Sequence, residues 1–253
     1  MRIDLNADVG ESFGAYTIGQ DPILLQHITS ANVACGFHAG DPGVMRATVA
    51  LAKQYRVAIG AHPGFADLVG FGRRELRATP REVEDLVVYQ IGALAAVAAA
   101  QGERLQHVKP HGALFNMAAR DRALADAIAR AIAAVDRSLV LFGLAGSELV
   151  TAGGRAGLRT ASEVFADRAY APDATLVPRH ASGAVIHDAA FVVERAVRMA
   201  SEHAVTAIDG SVINMQVDTI CVHGDTPGAA DLAARIREAL TRAGVAVKAI
   251  RDL

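Results

Sequence analysis

Short runs of apolar, often β-branched residues alternate along the chain with longer stretches whose apolar positions recur every three or four residues. The short runs, at 2–6, 28–35, 57–61, 107–109, 138–143, 159–165 and 219–222, predict strands. The longer stretches predict helices over 42–55, 80–101, 120–135, 147–156, 188–203 and 227–243. Boundary residues agree with this division. Asp41 precedes Pro42-Gly43, Thr79 precedes Pro80 with Glu82 and Glu84 in the first turn, and Thr226 precedes Pro227. The segment 204–224 differs: two β-rich runs flank Asp209-Gly210, a hairpin signal, and lead into the last major strand. A run at 245–250 reads as a further strand. No linker-like stretch divides the chain.

Strand–helix alternation over 253 residues predicts one domain, 1–253, folded as a parallel (β/α) barrel with fewer than eight strands. A doubly wound sheet is the alternative. No GxGxxG follows the first strand and no GxxxxGK[ST] occurs, so neither a dinucleotide fold nor a P-loop is indicated.

Composition narrows the function. The chain is 52% hydrophobic and 21% charged with a formal net charge of −2, so it lacks a nucleic-acid footprint or a polybasic membrane face. A small or moderately polar substrate is expected. Cys35 and Cys221 lie in apolar runs and form no CxxC pair, which predicts buried free thiols in a reducing compartment. The start "MRIDLNADVG" places Asp4 and Asp8 where a signal peptide is apolar, and the longest apolar run, 91–100, is about half a membrane span. A soluble, cytoplasmic protein is expected.

The histidines are patterned. "GFHAGD" (His38), "GAHPGF" (His62), "KPHGAL" (His111) and "CVHGDT" (His223) each end a predicted strand and are followed within two residues by glycine. In a parallel α/β fold all strand ends of one sense share a face, and active sites are built there. Residues two apart on a strand share a side. Asp4, Asn6 and Asp8 therefore share one side of the first strand, and Asn32, Ala34 and Gly36 lead to His38 on the second. Ala58 and Gly60 lead to His62 on the third; His107, Lys109 and His111 share a side of the fourth. Glu163 and Asp167 do so on the sixth, and His223 and Asp225 end the seventh. Polar groups in a barrel interior are costly unless they pair, so these side chains are expected to converge as a ring of acids, imidazoles and one lysine, with Asp41 in one sector.

Some of these positions admit a plainer reading. Asp21 and Asp41 precede prolines as N-caps do, Asp4 serves as well to brace Lys109, and His107 fits one layer down in the barrel. His27, His180, His187 and His203 fall in helix or loop patterns and read as surface or packing residues. Arg73 and Arg74, in the glycine-rich "GFGRREL", suit a carboxylate or phosphate at the catalytic face.

"DLNADVGESFG" (4–14), "NVACGFHAGDP" (32–42), "GAHPGFADLVGFGRR" (60–74), "VKPHGALFN" (108–116), "EVFADRAY" (163–170) and "DTICVHGDTPGA" (218–229) resemble the LamB/YcsF family. Phe115 stands where that family usually has tyrosine. The resemblance implies a seven-stranded, irregular (β/α) barrel similar to the glycoside hydrolase/deacetylase superfamily. It implies an ATP-dependent 5-oxoprolinase, opening the lactam of 5-oxo-L-proline to L-glutamate with Mg²⁺-ATP as co-substrate, and two partner subunits, B and C; a homo-oligomer is compatible with it. Catalytic candidates are then Asp8, Glu11, His38, His62, Lys109, His111, Glu163, Asp167, His223 and Asp225. Asn6, Arg73, Arg74 and Arg168 are candidates for holding substrate or phosphate. The deacetylase likeness suggests Asp8, His38 and His62 as ligands of a protein-bound divalent metal. A metal-dependent hydrolase acting alone, and a non-catalytic ligand-binding role, stand as alternatives.

Overall fold

The computed structural model describes residues 1–179, 181–225 and 228–250. In chain order the elements are β1 (Arg2–Val9), α1 (Asp21–Leu24), β2 (Ser30–Ala34), α2 (Pro42–Tyr55), β3 (Ala58–His62), α3 (Pro80–Ala99) and β4 (His107–Val108). There follow α4 (Gly112–Ala118), α5 (Arg122–Val135), β5 (Val140–Leu144), α6 (Glu148–Arg155), β6 (Thr160–Phe165) and α7 (Ala189–Glu202). The last are β7 (Ala204–Thr206), β8 (Val212–Asn214), β9 (Thr219–Val222), α8 (Ala229–Arg242) and β10 (Ala246–Val247). Thr226 and Pro227, expected at the start of the last helix, and His180 lie outside the described residues.

Seven parallel strands close a barrel in the order β1-β2-β3-β4-β5-β6-β9, with β9 returning to pair with β1. β10 extends the first two residues of β1, just before β9 takes over at Asp4. β7 and β8 form the expected antiparallel hairpin about Asp209-Gly210, outside the barrel. The doubly wound alternative is excluded by closure.

Helix boundaries follow local chemistry. Asp41 caps α2 by accepting from the Gly43 and Val44 amides, and Thr79 and Glu82 close a capping box on α3. β1 runs three residues beyond the expected Asn6, which carries Asp8 into the barrel wall. The short α4 was not anticipated: Gly112 adopts φ +55° with its Cα against the Gly72 carbonyl, and the chain turns directly from His111 into helix.

Alternation along the strands divides two environments. Ile3, Leu5, Ala7 and Val9, with Val33, Ile59, Val108, Leu141, Val164 and Ile220, belong to the apolar layer shared with the helices. Positions of the opposite parity point into the barrel and are mostly polar. At its closed end a small separate apolar cluster of Val140, Phe142, Ala161 and Ile250 fills the interior. No helix among the described residues is long and apolar enough to cross a membrane.

Candidate active site

The barrel interior is built in layers. In the lowest, Asp4 accepts from Thr29, Ser30 and Thr219 at 2.8, 2.6 and 2.5 Å. Asp4 thus does not reach Lys109. Burial outweighs these hydrogen bonds and pushes its carboxyl up to about 6. Above it, Asn32 donates to the side-chain oxygens of Asn6 and Asp8 at 2.7 and 2.9 Å, and Asn6 donates to Glu163 at 2.9 Å and Thr219 at 2.7 Å. The His107 Nε2–H donates to Asn32 Oδ1 at 2.8 Å while its ring stacks on Phe142. His107 therefore lies one layer below the mouth. It faces Gly60, where any side chain would collide with its ring.

Lys109 forms the next layer. Its ammonium lies 2.9 Å from Asp8 Oδ1, 2.9 Å from Glu163 Oε1 and 3.0 Å from the Cys221 sulfur, over the Phe165 ring. Burial lowers the pKa of an amine, but Asp8, Cys221 and Glu163 reverse this and hold Lys109 well above its usual value. Burial pushes Asp8 upward, and its closeness to His62 and to the Lys109 ammonium outweighs this, keeping that carboxyl well below the usual range. Glu163 is raised by burial despite Lys109. Cys221 is a buried free thiol, as is Cys35. Its contact with Lys109 was not foreseen, although its parity, two residues before His223, was a usable signal.

The mouth carries the four strand-end histidines in two groups. His38, His62 and His111 gather around Glu11. The His38 and His111 rings stack 3.7 Å apart, and His62 stands perpendicular to both. Glu11 Oε1 is 3.5 Å from His38 Nε2 and 3.5 Å from His111 Nδ1. Burial drives the Glu11 carboxyl well above its usual range, and the same burial drives His38 and His111 well below theirs. His223 stands apart, its Nδ1 2.7 Å from Asp167 Oδ2 and its ring stacked on Phe165. The Asp167 carboxylate is lowered, because its closeness to His223 and the hydrogen bond between them overcome burial. The glycines are required here: a Cβ at Gly64 or Gly72 would crowd His38, and at Gly72 His111 as well.

The LamB/YcsF family model matches residues 3–253. The chain belongs to the LamB/YcsF family. It is 56% identical over 248 residues to the A subunit of 5-oxoprolinase from Bacillus licheniformis, covering 98% of each chain. The crystal structure of a lactam utilization protein from Thermus thermophilus superposes with a TM-score of 0.93 at 49% identity, covering 98% of this chain and 100% of that one. A T48 deacetylase, at 16% identity, shares the fold alone, with a TM-score of 0.50 over 99% of this chain and 88% of that one.

The remaining candidates of this LamB/YcsF chain divide between the mouth and its supports. Arg73 reaches Asp225 at 2.6 Å on the partly exposed rim and lies over Phe71, whose carbonyl accepts from His111. Arg74 is not brought there. Its side chain is largely exposed and clamps the buried Asp67, fixing the 67–74 loop. Arg168 is buried, donating to the carbonyls of Val177 and Ala184 instead of offering its guanidinium freely. Asp41 caps α2 and binds the Gly14 amide, outside the ring in which the sequence placed it. Asn6 lies below Lys109, bracing Glu163. Phe115 is buried edge-on to Phe165, so its apolar ring backs the surface beneath Lys109 and His223.

The suggested metal set of Asp8, His38 and His62 is not the grouping found. Asp8 Oδ1 is committed to Lys109 and Oδ2 lies 3.3 Å from His62, whereas His38 faces Glu11.

Proposed function

We propose that this chain is the A subunit of an ATP-dependent 5-oxoprolinase, opening the lactam of 5-oxo-L-proline to L-glutamate with hydrolysis of ATP to ADP and phosphate, together with partner subunits B and C. The observation that carries this reading is full-length similarity to curated A subunits, joined to a polar barrel mouth holding an acid–base dyad and a buried lysine. A five-membered lactam is a stable amide. Phosphorylation of its oxygen by Mg²⁺-ATP makes the ring carbon electrophilic and provides a leaving group. Water attack then needs a base and the departing ring nitrogen needs a proton; this leaves an acyl phosphate, and a second water, again needing a base, releases glutamate and phosphate.

His223 is suited to the proton transfers. Asp167 accepts from its Nδ1–H, which fixes the tautomer and leaves Nε2 as the working atom. Lys109, held between Asp8 and Glu163, supplies a preorganised positive charge for an oxyanion developing at the mouth. Arg73 is the rim group suited to a carboxylate or phosphate, and would exchange Asp225 for it. The chain has no P-loop, so ATP binding and the phosphoryl step are expected to need the partner subunits. The test is ATP-dependent glutamate release from 5-oxoproline. Turnover is expected with subunits B and C present and not with this chain alone. Full-rate turnover by the isolated chain would overturn the division of labour, and none with all three subunits would overturn the reading.

A further inference from the structure

At the mouth, His62 and His111 meet through nitrogens that carry no hydrogen. The His62 Nδ1 lies 2.7 Å from the Lys109 carbonyl and the His111 Nε2 lies 2.8 Å from the Phe71 carbonyl. A carbonyl only accepts, so both of these nitrogens are protonated. In the neutral rings this leaves His62 Nε2 and His111 Nδ1 as bare lone pairs, which face each other at 2.9 Å, with Asp8 Oδ2 3.3 Å from the same His62 nitrogen. Glu11 Oε1 lies 3.5 Å from His111 Nδ1 and the same distance from His38 Nε2. Neither Glu11 Oε1 nor either His38 nitrogen has a hydrogen-bond partner among the described residues, and all are buried. The His62 and His111 lone pairs thus meet with no hydrogen between them, beside a Glu11 oxygen and a His38 ring that have no hydrogen-bond partner. Such an arrangement is repulsive unless a cation holds it together.

Two cations are available, a proton and a metal ion. A proton placed between His62 and His111 satisfies that pair and gives Asp8 a charged neighbour, but Glu11 Oε1 and His38 Nε2 then need a second proton and lie 3.5 Å apart, beyond a good hydrogen bond. A metal ion satisfies Glu11, His62 and His111 together, with His38 beside them. Donors about 2.1 Å from a tetrahedral ion lie about 3.4 Å apart, and the two 3.5 Å separations to Glu11 match that edge. One donor atom from each of Glu11, His38, His62 and His111 lies within 4.8 Å of the others. The two fixed histidines each give their far N–H to a backbone carbonyl, the outer hydrogen bond that orients metal-ligating imidazoles. An imidazole-rich set with one carboxylate selects zinc-like ions over magnesium or calcium.

We propose that Glu11, His62 and His111, with His38 behind them, bind one divalent transition-metal ion of the zinc–cobalt class. Glu11, and not Asp8, joins the histidines, because Lys109 already engages Asp8 Oδ1. His38 is the weakest of the four. Its ring is parallel to that of His111, within 3°, so its lone pair runs beside its neighbour's instead of converging on the same point. When bound, such an ion polarises a carbonyl or activates water. The site stands on side-chain geometry and does not depend on the 5-oxoprolinase reading.

The test is cobalt binding by the isolated full-length chain. Protein stripped with a chelator is titrated with Co²⁺ and followed by visible absorption, with metal content measured after desalting. One Co²⁺ per chain is expected, with the absorption of a low-coordinate ion, displaced stoichiometrically by Zn²⁺. Glu11→Gln, nearly isosteric, and His111→Asn should each weaken binding by about 10-fold or more, His38→Ala by less, and the distant His27→Ala not at all. Circular dichroism checks that each variant is folded, and Glu11→Gln decides the matter if His111→Asn is not. Absence of saturable cobalt uptake by the folded wild type would overturn the proposal and leave the shared proton. Loss of uptake in Asp8→Asn with retention in Glu11→Gln would overturn the ligand set.

Discussion

The His107 imidazole occupies the space that a side chain at position 60 would need. β3 and β4 pair with Gly60 opposite His107, and the ring crosses the bare Cα to reach Asn32. Gly60→Ala should therefore destabilise the protein by about 1–3 kcal/mol or more through overpacking. In a His107→Ala background the same change should cost much less. Urea denaturation of the two single variants and the double variant measures this coupling.

Lys109 neutralises two buried carboxylates at once. Lys109→Met should abolish turnover in the reconstituted complex and cost roughly 3–5 kcal/mol of stability, since Asp8 and Glu163 are left facing each other without a cation. The loss should be smaller at pH 5 than at pH 8, because burial already raises Glu163 and removing Lys109 raises it further. Denaturation curves at both pH values provide the check.

His107 and Asp4 pull acid stability in opposite directions. Burial, reinforced by Lys109, lowers His107 to about 3, so the fold keeps it neutral while the unfolded chain protonates below about 6.5. The unfolded state then binds more protons, and stability from this group falls from about pH 6.5 towards 3, by on the order of 5 kcal/mol in all. Asp4 is raised to about 6, so the fold binds its proton more tightly than the unfolded chain does. Its contribution rises as pH falls from about 6 to about 4. His107→Gln should flatten the acid limb and Asp4→Asn should steepen it, as read from unfolding free energies between about pH 7 and 4.

Asp167→Asn should leave the fold intact and lower kcat on the order of 100-fold, with a smaller change in KM, because it disturbs the orientation of His223 and not substrate binding. Steady-state kinetics of the reconstituted complex separate the two parameters.

The neighbouring arginines should behave differently. Arg73→Ala should raise KM for 5-oxoproline or ATP several-fold, since Arg73 sits on the rim with Asp225. Arg74→Ala should leave both KM values unchanged and lower thermal stability, since it releases Asp67 and the loop that Asp67 anchors. Kinetics and thermal melts of the two variants test this together.

The sequence by itself determined the strand–helix alternation, the caps at Asp41 and Thr79, the hairpin at Asp209-Gly210 and the inward side of six of the seven barrel strands. These depend on contacts within a few residues or on the two-residue repeat of a strand, both of which the linear order records. It also marked Asp8, His62, Lys109, Glu163 and His223 as inward or strand-end residues. Partnership was decided only by the tertiary structure. Closure of β9 on β1 brings Cys221 and His223 beside residues far away in the chain, and register sets which side chains share a layer. Hence Asp8 pairs with Lys109 while Glu11, beyond the end of β1, faces His38 and His111. Arg73 and Arg74, adjacent in sequence, part company because the loop turns Arg73 to Asp225 and Arg74 to Asp67. Residue type and spacing carry parity along one strand; they do not carry the distances between strands, and the chemistry of this mouth depends on those distances.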